Sequence, residues 1–249
     1  MKMKMFIFDI DGVIFDSIKE TNTAALQAFK EIEEKDLTKD AGFLEKLTNL
    51  RPYIRNAKDY YVIIRLILEG KITDNVSVKQ MNSCIEKWKS KIDLFHKKFY
   101  EVRGRMEKLD YDNWISLIRP YPGVIETIKS LKEENILSFS TAKDIKSVFI
   151  LLNKFGLDFT EDHFVGNEIS LDKNVHIKTL SERFGIPFKD ILFIDDLFFQ
   201  LMSVKDSGVK LAMPSWGYST EDQRRKAKEM GISVLTLNNL KQQLMEVFE

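Results

Sequence analysis

From residue 118 to the end of the chain, short apolar runs alternate with segments in which apolar residues recur at helical spacing. The apolar runs predict strands at residues 136–140, 191–194, 209–213 and 234–237. A continuous apolar strand is typical of burial on both faces, and alternating strands and helices favour a parallel sheet. We therefore predict an α/β fold in which helices cover both faces of a parallel sheet.

The N-terminal run at residues 3–8 has the same buried-strand character, whereas residues 17–115 have helical spacing and are rich in charge. We expect the first strand to join the later ones. The prediction is a discontinuous α/β core of residues 1–16 and 116–249, interrupted by an all-helical domain at 17–115.

The predicted helical insertion differs from the core in charge. Residues 18–115 carry a net charge of +3, and the rest of the chain carries −3. A basic insertion facing an acidic core would suit an anionic substrate, although an imbalance of this size is also typical of chance. Within the insertion, residues 77–100 predict one long helix.

Composition narrows the class of protein. The 249 residues are 44% hydrophobic and 31% charged with zero net charge, which excludes a disordered chain and gives no overall attraction to nucleic acid or to an anionic membrane. The longest apolar stretch, residues 60–68, is shorter than the roughly 20 residues that span a bilayer, and the N-terminal apolar run is too short for a signal peptide. Cys84 is the single cysteine. We expect a cytoplasmic protein, a monomer or weak homodimer, with neither nucleic acid nor membrane as partner.

Two of the predicted strands end in pairs of acidic residues. Asp9 and Asp11 follow the first strand, and Asp195 and Asp196 follow a later one. The carboxyl ends of parallel strands form ligand sites, and carboxylates placed together there repel each other unless a cation lies between them. Such oxygen ligands suit Mg²⁺. A single aspartate at this place would more often cap the next helix, but two acidic strand ends favour a metal site.

Two weaker signals are compatible with phosphate binding. The strand at 136–140 is followed by Thr141 and a helix start, where a hydroxyl and backbone N–H groups suit a phosphate group. Hydroxyls at strand ends are also common in turns. Lys173 lies in a polar stretch, where a lysine is usually solvated. Neither signal decides a function by itself.

Taken in order, these motifs resemble the haloacid dehalogenase-like superfamily of phosphohydrolases. The segments at 119–124 and 216–218 are similar to the family's return from cap to core and to its phosphoglycolate-phosphatase-like members. The resemblance covers nearly the whole chain. It implies a Rossmann-like core with an inserted helical cap, in the subclass that includes phosphoglycolate phosphatase and β-phosphoglucomutase. The residues that carry it are Asp9, Asp11, Gly12, Val13, Thr141, Lys173, Asp195 and Asp196.

The resemblance implies catalytic and phosphate-binding roles. Asp9 would be the nucleophile, and Asp11 would be the general acid and base. The Thr141 hydroxyl and the Ala142 N–H would bind the transferring phosphoryl group, and Lys173 would neutralise charge between that group and Asp9.

The metal site that the resemblance implies would hold Mg²⁺ with Asp9, Asp11 through its carbonyl, Asp196 and the neighbouring Asp195. The last motif departs from a common family pattern, Gly-Asp-x-x-x-Asp, because Asp195 replaces the glycine and Gln200 replaces the final acid. A two-acid variant of this motif fits better. It leaves open whether Asp195 or Asp196 contacts the metal.

The implied activity is Mg²⁺-dependent hydrolysis of a small phosphorylated metabolite through an aspartyl-phosphate on Asp9. Phosphosugar mutase activity shares the same residues and is an alternative. A non-catalytic binding protein that retains the fold is another, suggested by Gln200, although retention of Asp9 and Asp11 argues against it. Dehalogenation fits less well, because family members with that activity do not use an acid at the position of Asp11. Phosphonate cleavage also fits less well, because family members with that activity usually lack the acid.

Substrate choice is expected to depend on the helical insertion. Arg51 and Arg55 are four residues apart and would share one face of a helix. Arginine suits carboxylate or phosphate groups, so we predict that these two residues contact a second anionic group on the substrate. The alternative is a solvated helix face with aromatic packing beneath it.

Overall fold

The computed structural model describes residues 3–72 and 74–249. Residues 1 and 2 of the predicted core and residue 73 of the predicted insertion lie outside the described residues. The chain forms two compact units, Met1–Asp16 with Pro120–Glu249, and Ser17–Arg119, which we call the core unit and the helical unit. The division into domains at residues 16 and 116 stays a prediction.

The strands, in chain order, are β1 (Met5–Phe8), β2 (Phe15–Asp16), β3 (Arg119–Pro120), β4 (Ile136–Ser140), β5 (Phe164–Val165), β6 (Ile191–Ile194), β7 (Lys210–Pro214) and β8 (Ser233–Leu235). Six of them form one sheet in the order β5-β4-β1-β6-β7-β8, with every neighbouring pair parallel. β2 and β3 form a separate two-stranded sheet.

The α-helices, in chain order, are α1 (Ile18–Glu33), α2 (Ala41–Asn49), α3 (Ala57–Leu68), α4 (Val78–Lys87), α5 (Lys89–Leu109), α6 (Tyr111–Ser116), α7 (Val124–Lys132), α8 (Ile145–Lys154), α9 (Lys173–Phe184), α10 (Phe198–Val204), α11 (Glu221–Glu229) and α12 (Leu240–Glu246). No helix among the described residues has both the length and the apolar character needed to cross a membrane.

Alternating side chains of β1 pack on opposite faces of the sheet, as the strand geometry requires. Met5 and Ile7 belong to a buried cluster that includes residues of α9, α10 and α11. Phe6 points to the other face, where its ring makes an edge contact with Phe248 beyond α12. This arrangement confirms the predicted fold class, a Rossmann-like parallel sheet covered by helices on both faces, with a helical insertion.

The register of the three central strands determines where their polar continuations lie. Phe8 at the end of β1 is paired with Phe139 on β4 and with Ile194 on β6. The residues that follow, Asp9 and Asp195 among them, therefore emerge at the same edge of the sheet. The backbone N–H of Asp9 donates to the carbonyl of Ile194 at 2.9 Å, which joins the two strand ends.

The helical unit has its own apolar core, to which α1, α2, α3, α4 and α5 contribute. The predicted single helix over 77–100 is wrong, because the chain forms α4 and α5 with Trp88 between them. Trp88 has φ −113° and ψ 22°, outside the helical range, and its backbone N–H closes the end of α4 on Cys84. The indole packs edge-on against Tyr61 of α3. Tertiary packing of this aromatic side chain accompanies the break, which periodicity alone does not reveal.

Candidate active site

Three carboxylates meet where β1 and β6 end. Asp9, Asp195 and Asp196 each place one carboxylate oxygen within 4.8 Å of the others. The side chain of Asp9 is 13% exposed and that of Asp195 only 1%, while Asp196 is fully buried. Negative charges that lie this close together and are this well buried from solvent repel each other strongly. The predicted convergence of the two acidic strand ends is therefore present in the core unit.

Lys173, the first residue of α9, is buried beside this cluster. Its Nζ donates to Asp9 Oδ1 at 2.8 Å and to the carbonyl of Ser140 at 2.7 Å, and lies 3.5 Å from Asp195 Oδ2. Burial alone would lower the pKa of Lys173, but the charges of Asp9 and Asp195 outweigh it and raise the pKa. The ammonium group is therefore retained at neutral pH next to Asp9.

The two carboxylate oxygens of Asp195 have different surroundings. Its Oδ1 accepts from the N–H of Leu197 at 2.9 Å, which stabilises the turn before α10. It is not the helix cap that was the alternative for a single aspartate, because Leu197 occupies the N-cap position of α10. Its Oδ2 is buried without a hydrogen bond among the described residues. Burial and the charges of Asp9 and Asp196 raise the pKa of Asp195 well above its usual value, although Lys173 opposes them. Lys173 therefore balances only part of the negative charge of the cluster.

The residues present fit a divalent cation. One buried ammonium group, that of Lys173, faces the three clustered carboxylates, and one divalent ion would balance the remaining two negative charges. Oxygen-only donors are the ligand set that Mg²⁺ prefers. The clustered carboxylates belong to Asp9, Asp195 and Asp196, while Asp11 is paired separately with Lys143.

Backbone atoms hold Asp196 closely. The N–H of Tyr218 donates to Asp196 Oδ2 at 2.7 Å. A Cβ added to Gly12 would collide with the Asp196 carboxylate, and one added to Gly217 would collide with Asp196 Cβ. Gly12 also has φ +86°, a conformation that side-chain-bearing residues rarely adopt. Both glycines are therefore needed for this carboxylate to reach the cluster.

The segment at 216–218 also braces the loop after β1. The Trp216 indole N–H donates to the carbonyl of Val13 at 3.1 Å, and the Tyr218 hydroxyl lies 3.2 Å from Asp16 Oδ1. These contacts connect the end of β7 to the turn that follows Asp9 and Asp11. In the sequence this segment is distinguished only by its resemblance to the family, and the structure shows what it contacts.

Thr141 and Ala142 follow β4 at the same edge of the sheet. The Thr141 N–H donates to the carbonyl of Val165 at 3.1 Å, and its buried hydroxyl accepts from the N–H of Lys143 at 3.0 Å. The Asn167 side-chain amide donates to the carbonyl of Ala142 at 3.1 Å, which fixes the orientation of that peptide. The turn is thus held from both sides.

Sequence reasoning missed two buried residues of this site. Lys143 contacts the Asp11 carboxylate, with Nζ 3.2 Å from Oδ1, and His176 hydrogen-bonds Ser140. Lys143 directly follows Thr141 and Ala142 in the sequence, and a lysine near a helix start is ordinarily solvated. His176 belongs to none of the motifs that the sequence offers. The only sequence signal for either was its closeness to a predicted strand end or to Lys173.

His176 forms a buried bridge between β4 and the loop before α9. Its Nδ1 lies 2.8 Å from Ser140 Oγ, and its Nε2 lies 2.8 Å from the carbonyl of Ser170. Because the carbonyl must accept, Nε2 carries the proton and Nδ1 accepts from the hydroxyl. Burial, together with the charge of Lys173, lowers the pKa of His176 to about 4. The imidazole is therefore neutral in the folded protein at neutral pH.

We expect acid to destabilise the core unit through His176. Between the unfolded pKa of 6.5 and the folded pKa of about 4, the unfolded chain binds the proton and the folded chain does not. The contribution of neutral His176 to the free energy of unfolding is therefore fully present above pH 6.5 and is lost as the pH falls toward 4. About 2 kcal/mol of it is lost by pH 5. Urea unfolding at pH 7 and pH 5 measures it. In His176→Gln the decrease between these pH values should be smaller by that amount, and an equal decrease would contradict the assignment.

Arg51 and Arg55 lie in the helical unit and are held by intramolecular partners. Arg55 donates to both oxygens of the buried Asp59, at 2.7 and 2.8 Å, and the hydrogen bond to Asp59 outweighs burial and raises the pKa of Arg55. Arg51 is 8% exposed and donates to the carbonyl of Ile54 at 2.6 Å. Their role as substrate contacts stays a prediction.

Comparison with known proteins places this arrangement in a family. The family model of haloacid dehalogenase-like hydrolases matches residues 3–208. The chain is 23% identical over 222 residues to a phosphoglycolate phosphatase of Vibrio vulnificus, which covers 88% of this chain and 86% of the relative. It is 23% identical over 224 residues to a phosphoglycolate phosphatase of Aquifex aeolicus, covering 87% and 86%.

The fold is shared with solved structures. The crystal structure of a predicted phosphoglycolate phosphatase from Haemophilus somnus superposes with a TM-score of 0.69 at 18% identity, covering 100% of this chain and 99% of that one. At 18% identity this similarity shows a shared fold and nothing more. The family match spans most of the chain and confirms the resemblance seen in the motifs: the chain belongs to the haloacid dehalogenase-like hydrolases.

Proposed function

We propose that the chain is a Mg²⁺-dependent phosphatase that hydrolyses a small phosphorylated metabolite through an aspartyl-phosphate on Asp9. The observation that carries this proposal is the contact of Lys173 Nζ with Asp9 Oδ1 at 2.8 Å, inside a cluster of buried carboxylates. A lysine that holds a nucleophilic carboxylate beside other anionic oxygens also lowers the repulsion that an incoming phosphate dianion meets.

In the first chemical step, an Asp9 carboxylate oxygen attacks phosphorus and the bond to the ester oxygen breaks. The ester oxygen leaves with a proton supplied by Asp11. The Thr141 hydroxyl, the Ala142 N–H and Lys173 would orient the phosphoryl group and offset charge on its oxygens. The products are a free alcohol and phosphorylated Asp9.

In the second step, water replaces Asp9 on phosphorus. Asp11, now a carboxylate, takes a proton from the water as its oxygen attacks, and the bond between phosphorus and Asp9 breaks. Inorganic phosphate leaves, and Asp9 is regenerated. Asp11 suits both steps because its side chain is 15% exposed and so remains accessible to the substrate and to water.

Asp9, the carbonyl of Asp11, Asp195 and Asp196 would hold the metal. A bound Mg²⁺ supplies positive charge next to the phosphoryl oxygens and the attacking carboxylate. The protein's own part is to hold the carboxylates in place, through Lys173 and through the backbone around Asp196. Since the relatives are named phosphoglycolate phosphatases, 2-phosphoglycolate is the first substrate to test.

We expect removal of the metal to lower phosphate release by at least about 100-fold, because the unbalanced carboxylates then repel a phosphate dianion. The measurement is inorganic phosphate released from 2-phosphoglycolate, sugar phosphates and nucleotides, in excess Mg²⁺ and after dialysis against EDTA. Restoring Mg²⁺ should restore the rate.

Circular dichroism of the dialysed protein is the control for folding. Full activity in EDTA would contradict the metal assignment. A folded, Mg²⁺-loaded protein that releases phosphate from none of the esters would contradict the proposed function and favour a binding protein.

A further inference from the structure

Lys143 is a buried cation with a carboxylate partner of its own. Its side chain is fully buried, and Nζ lies 3.2 Å from Asp11 Oδ1 and 3.5 Å from Asp11 Oδ2. An ammonium group is costly to remove from water unless it is paired. Lys173 contacts Asp9, Ser140 and Asp195, so the two buried lysines face different carboxylates.

The backbone on both sides of Lys143 is fixed. Its N–H donates to Thr141 Oγ1 at 3.0 Å. The next residue, Asp144, caps α8 by accepting from the N–H of Ser147 at 2.9 Å. The ammonium group is therefore presented from a turn that is anchored to β4 at one end and to a helix start at the other.

Contact with both carboxylate oxygens restrains the rotation of the Asp11 side chain. The terminal torsion of an aspartate is intrinsically broad, and Asp11 is partly exposed. A cation on a rigid turn narrows the set of orientations that this carboxylate adopts. Proton transfer depends on such alignment, because donor and acceptor must lie within hydrogen-bond reach.

We propose that Lys143 is a positioning residue that holds the Asp11 carboxylate in the orientation required for proton transfer to the leaving oxygen and from water. The proposal rests on the proposed function. It differs from the role given to Lys173, because Lys143 acts on the proton-transfer group rather than on the nucleophile.

This role makes a prediction about leaving groups. An alkoxide is a poor leaving group and needs its proton from Asp11 as the ester bond breaks, whereas p-nitrophenolate leaves readily as an anion. Loss of Lys143 should therefore slow alkyl ester cleavage much more than cleavage of p-nitrophenyl phosphate. A loss of general structure or of phosphate binding would slow both.

The test compares benzyl phosphate with p-nitrophenyl phosphate, which carry rings of similar size. With Mg²⁺-loaded full-length enzyme in excess over ester, release of the alcohol reports the first step alone. We expect Lys143→Met to slow benzyl alcohol release by about 100-fold and p-nitrophenol release by less than about 5-fold. Lys178→Met is the matched control, since Lys178 is 70% exposed on α9, and both of its rates should equal those of the wild type.

Two further measurements separate positioning from other roles. In an Asp11→Asn background, Lys143→Met should cause no further loss, because the group it positions can no longer transfer a proton. Inhibition by inorganic phosphate should stay within about twofold of wild type, since a residue that only positions Asp11 makes no direct contact with phosphate. Lys143→Gln keeps a hydrogen-bond donor and should show a smaller loss, again confined to benzyl phosphate; it serves if Lys143→Met does not fold.

Equal losses with the two esters, an additive loss in Asp11→Asn, or a large rise in the phosphate inhibition constant would each overturn the positioning role. If the wild-type enzyme cleaves neither ester nor any other substrate of the panel, the proposed function fails instead. If the wild type cleaves both esters and Lys143→Met slows their cleavage equally, the proposed function still holds, but Lys143 does not have the proposed role.

Discussion

The Asp9→Asn variant is expected to lose at least about a thousand-fold in kcat, which corresponds to about 4 kcal/mol of transition-state stabilisation. The amide has no anionic oxygen to attack phosphorus, and the repositioning of other groups cannot replace it. Phosphate release from the best substrate of the panel measures the loss. When the reaction with this substrate is quenched in acid, the mass spectrum of the wild-type protein should show one added phosphoryl group, and that of the variant should show none.

The fold should survive this change. Asparagine gives up the ion pair with Lys173 but also removes the repulsion between Asp9 and Asp195, so the two effects oppose each other. Asp190→Asn is the matched control: this aspartate is also buried in the core unit and paired with a lysine, Lys4, at 2.9 Å. It should keep the wild-type rate. Phosphorylated protein in Asp9→Asn, or turnover close to wild type, would refute Asp9 as the nucleophile.

The parallel sheet was predictable because its strands are short, apolar and followed by polar residues. β1 and β6 are buried along their whole length, so burial on both faces left a continuous apolar run in the sequence. Once the strands are parallel, their carboxyl ends share one edge. The meeting of Asp9 with Asp195 and Asp196 follows from that rule, without any knowledge of the loops.

The rest of the site depended on contacts between segments far apart in sequence. Lys143 is 132 residues from Asp11, and nothing in the local pattern separates it from a solvated lysine. His176 pairs with Ser140 across 36 residues. The break at Trp88 likewise involves packing on another helix. Local periodicity reports which face of an element is buried, but not which partner a buried polar group finds.

The same limitation applies to a buried ion pair within the helical unit. Arg103 of α5 donates to both oxygens of Glu20 on α1, from Nε at 2.7 Å and from Nη2 at 3.0 Å. Glu20 is fully buried and Arg103 is 4% exposed. The indole N–H of Trp114 lies 3.4 Å from Glu20 Oε1, and the guanidinium group lies 4.8 Å from the centre of the Phe99 ring.

We expect Arg103→Met to destabilise the helical unit by about 3–5 kcal/mol, because the Glu20 carboxylate then stays buried without its bidentate partner. Urea unfolding followed by tryptophan fluorescence measures the effect. A Trp216→Phe background restricts the signal to Trp88 and Trp114, both within the helical unit.

The double variant Glu20→Met/Arg103→Met distinguishes two causes of the lost stability, the unpaired buried charge of Glu20 and the missing contact with Arg103. Replacing both partners by apolar side chains of similar length removes the uncompensated carboxylate, so the double variant should be more stable than Arg103→Met alone. Lys98→Met is the control for an exposed pair, since Lys98 and Glu101 are 26% and 41% exposed, and it should cost less than about 1 kcal/mol. If Arg103→Met costs no more than this control, or if the double variant is the less stable of the two, burial of the Glu20 charge is not what makes Arg103 necessary.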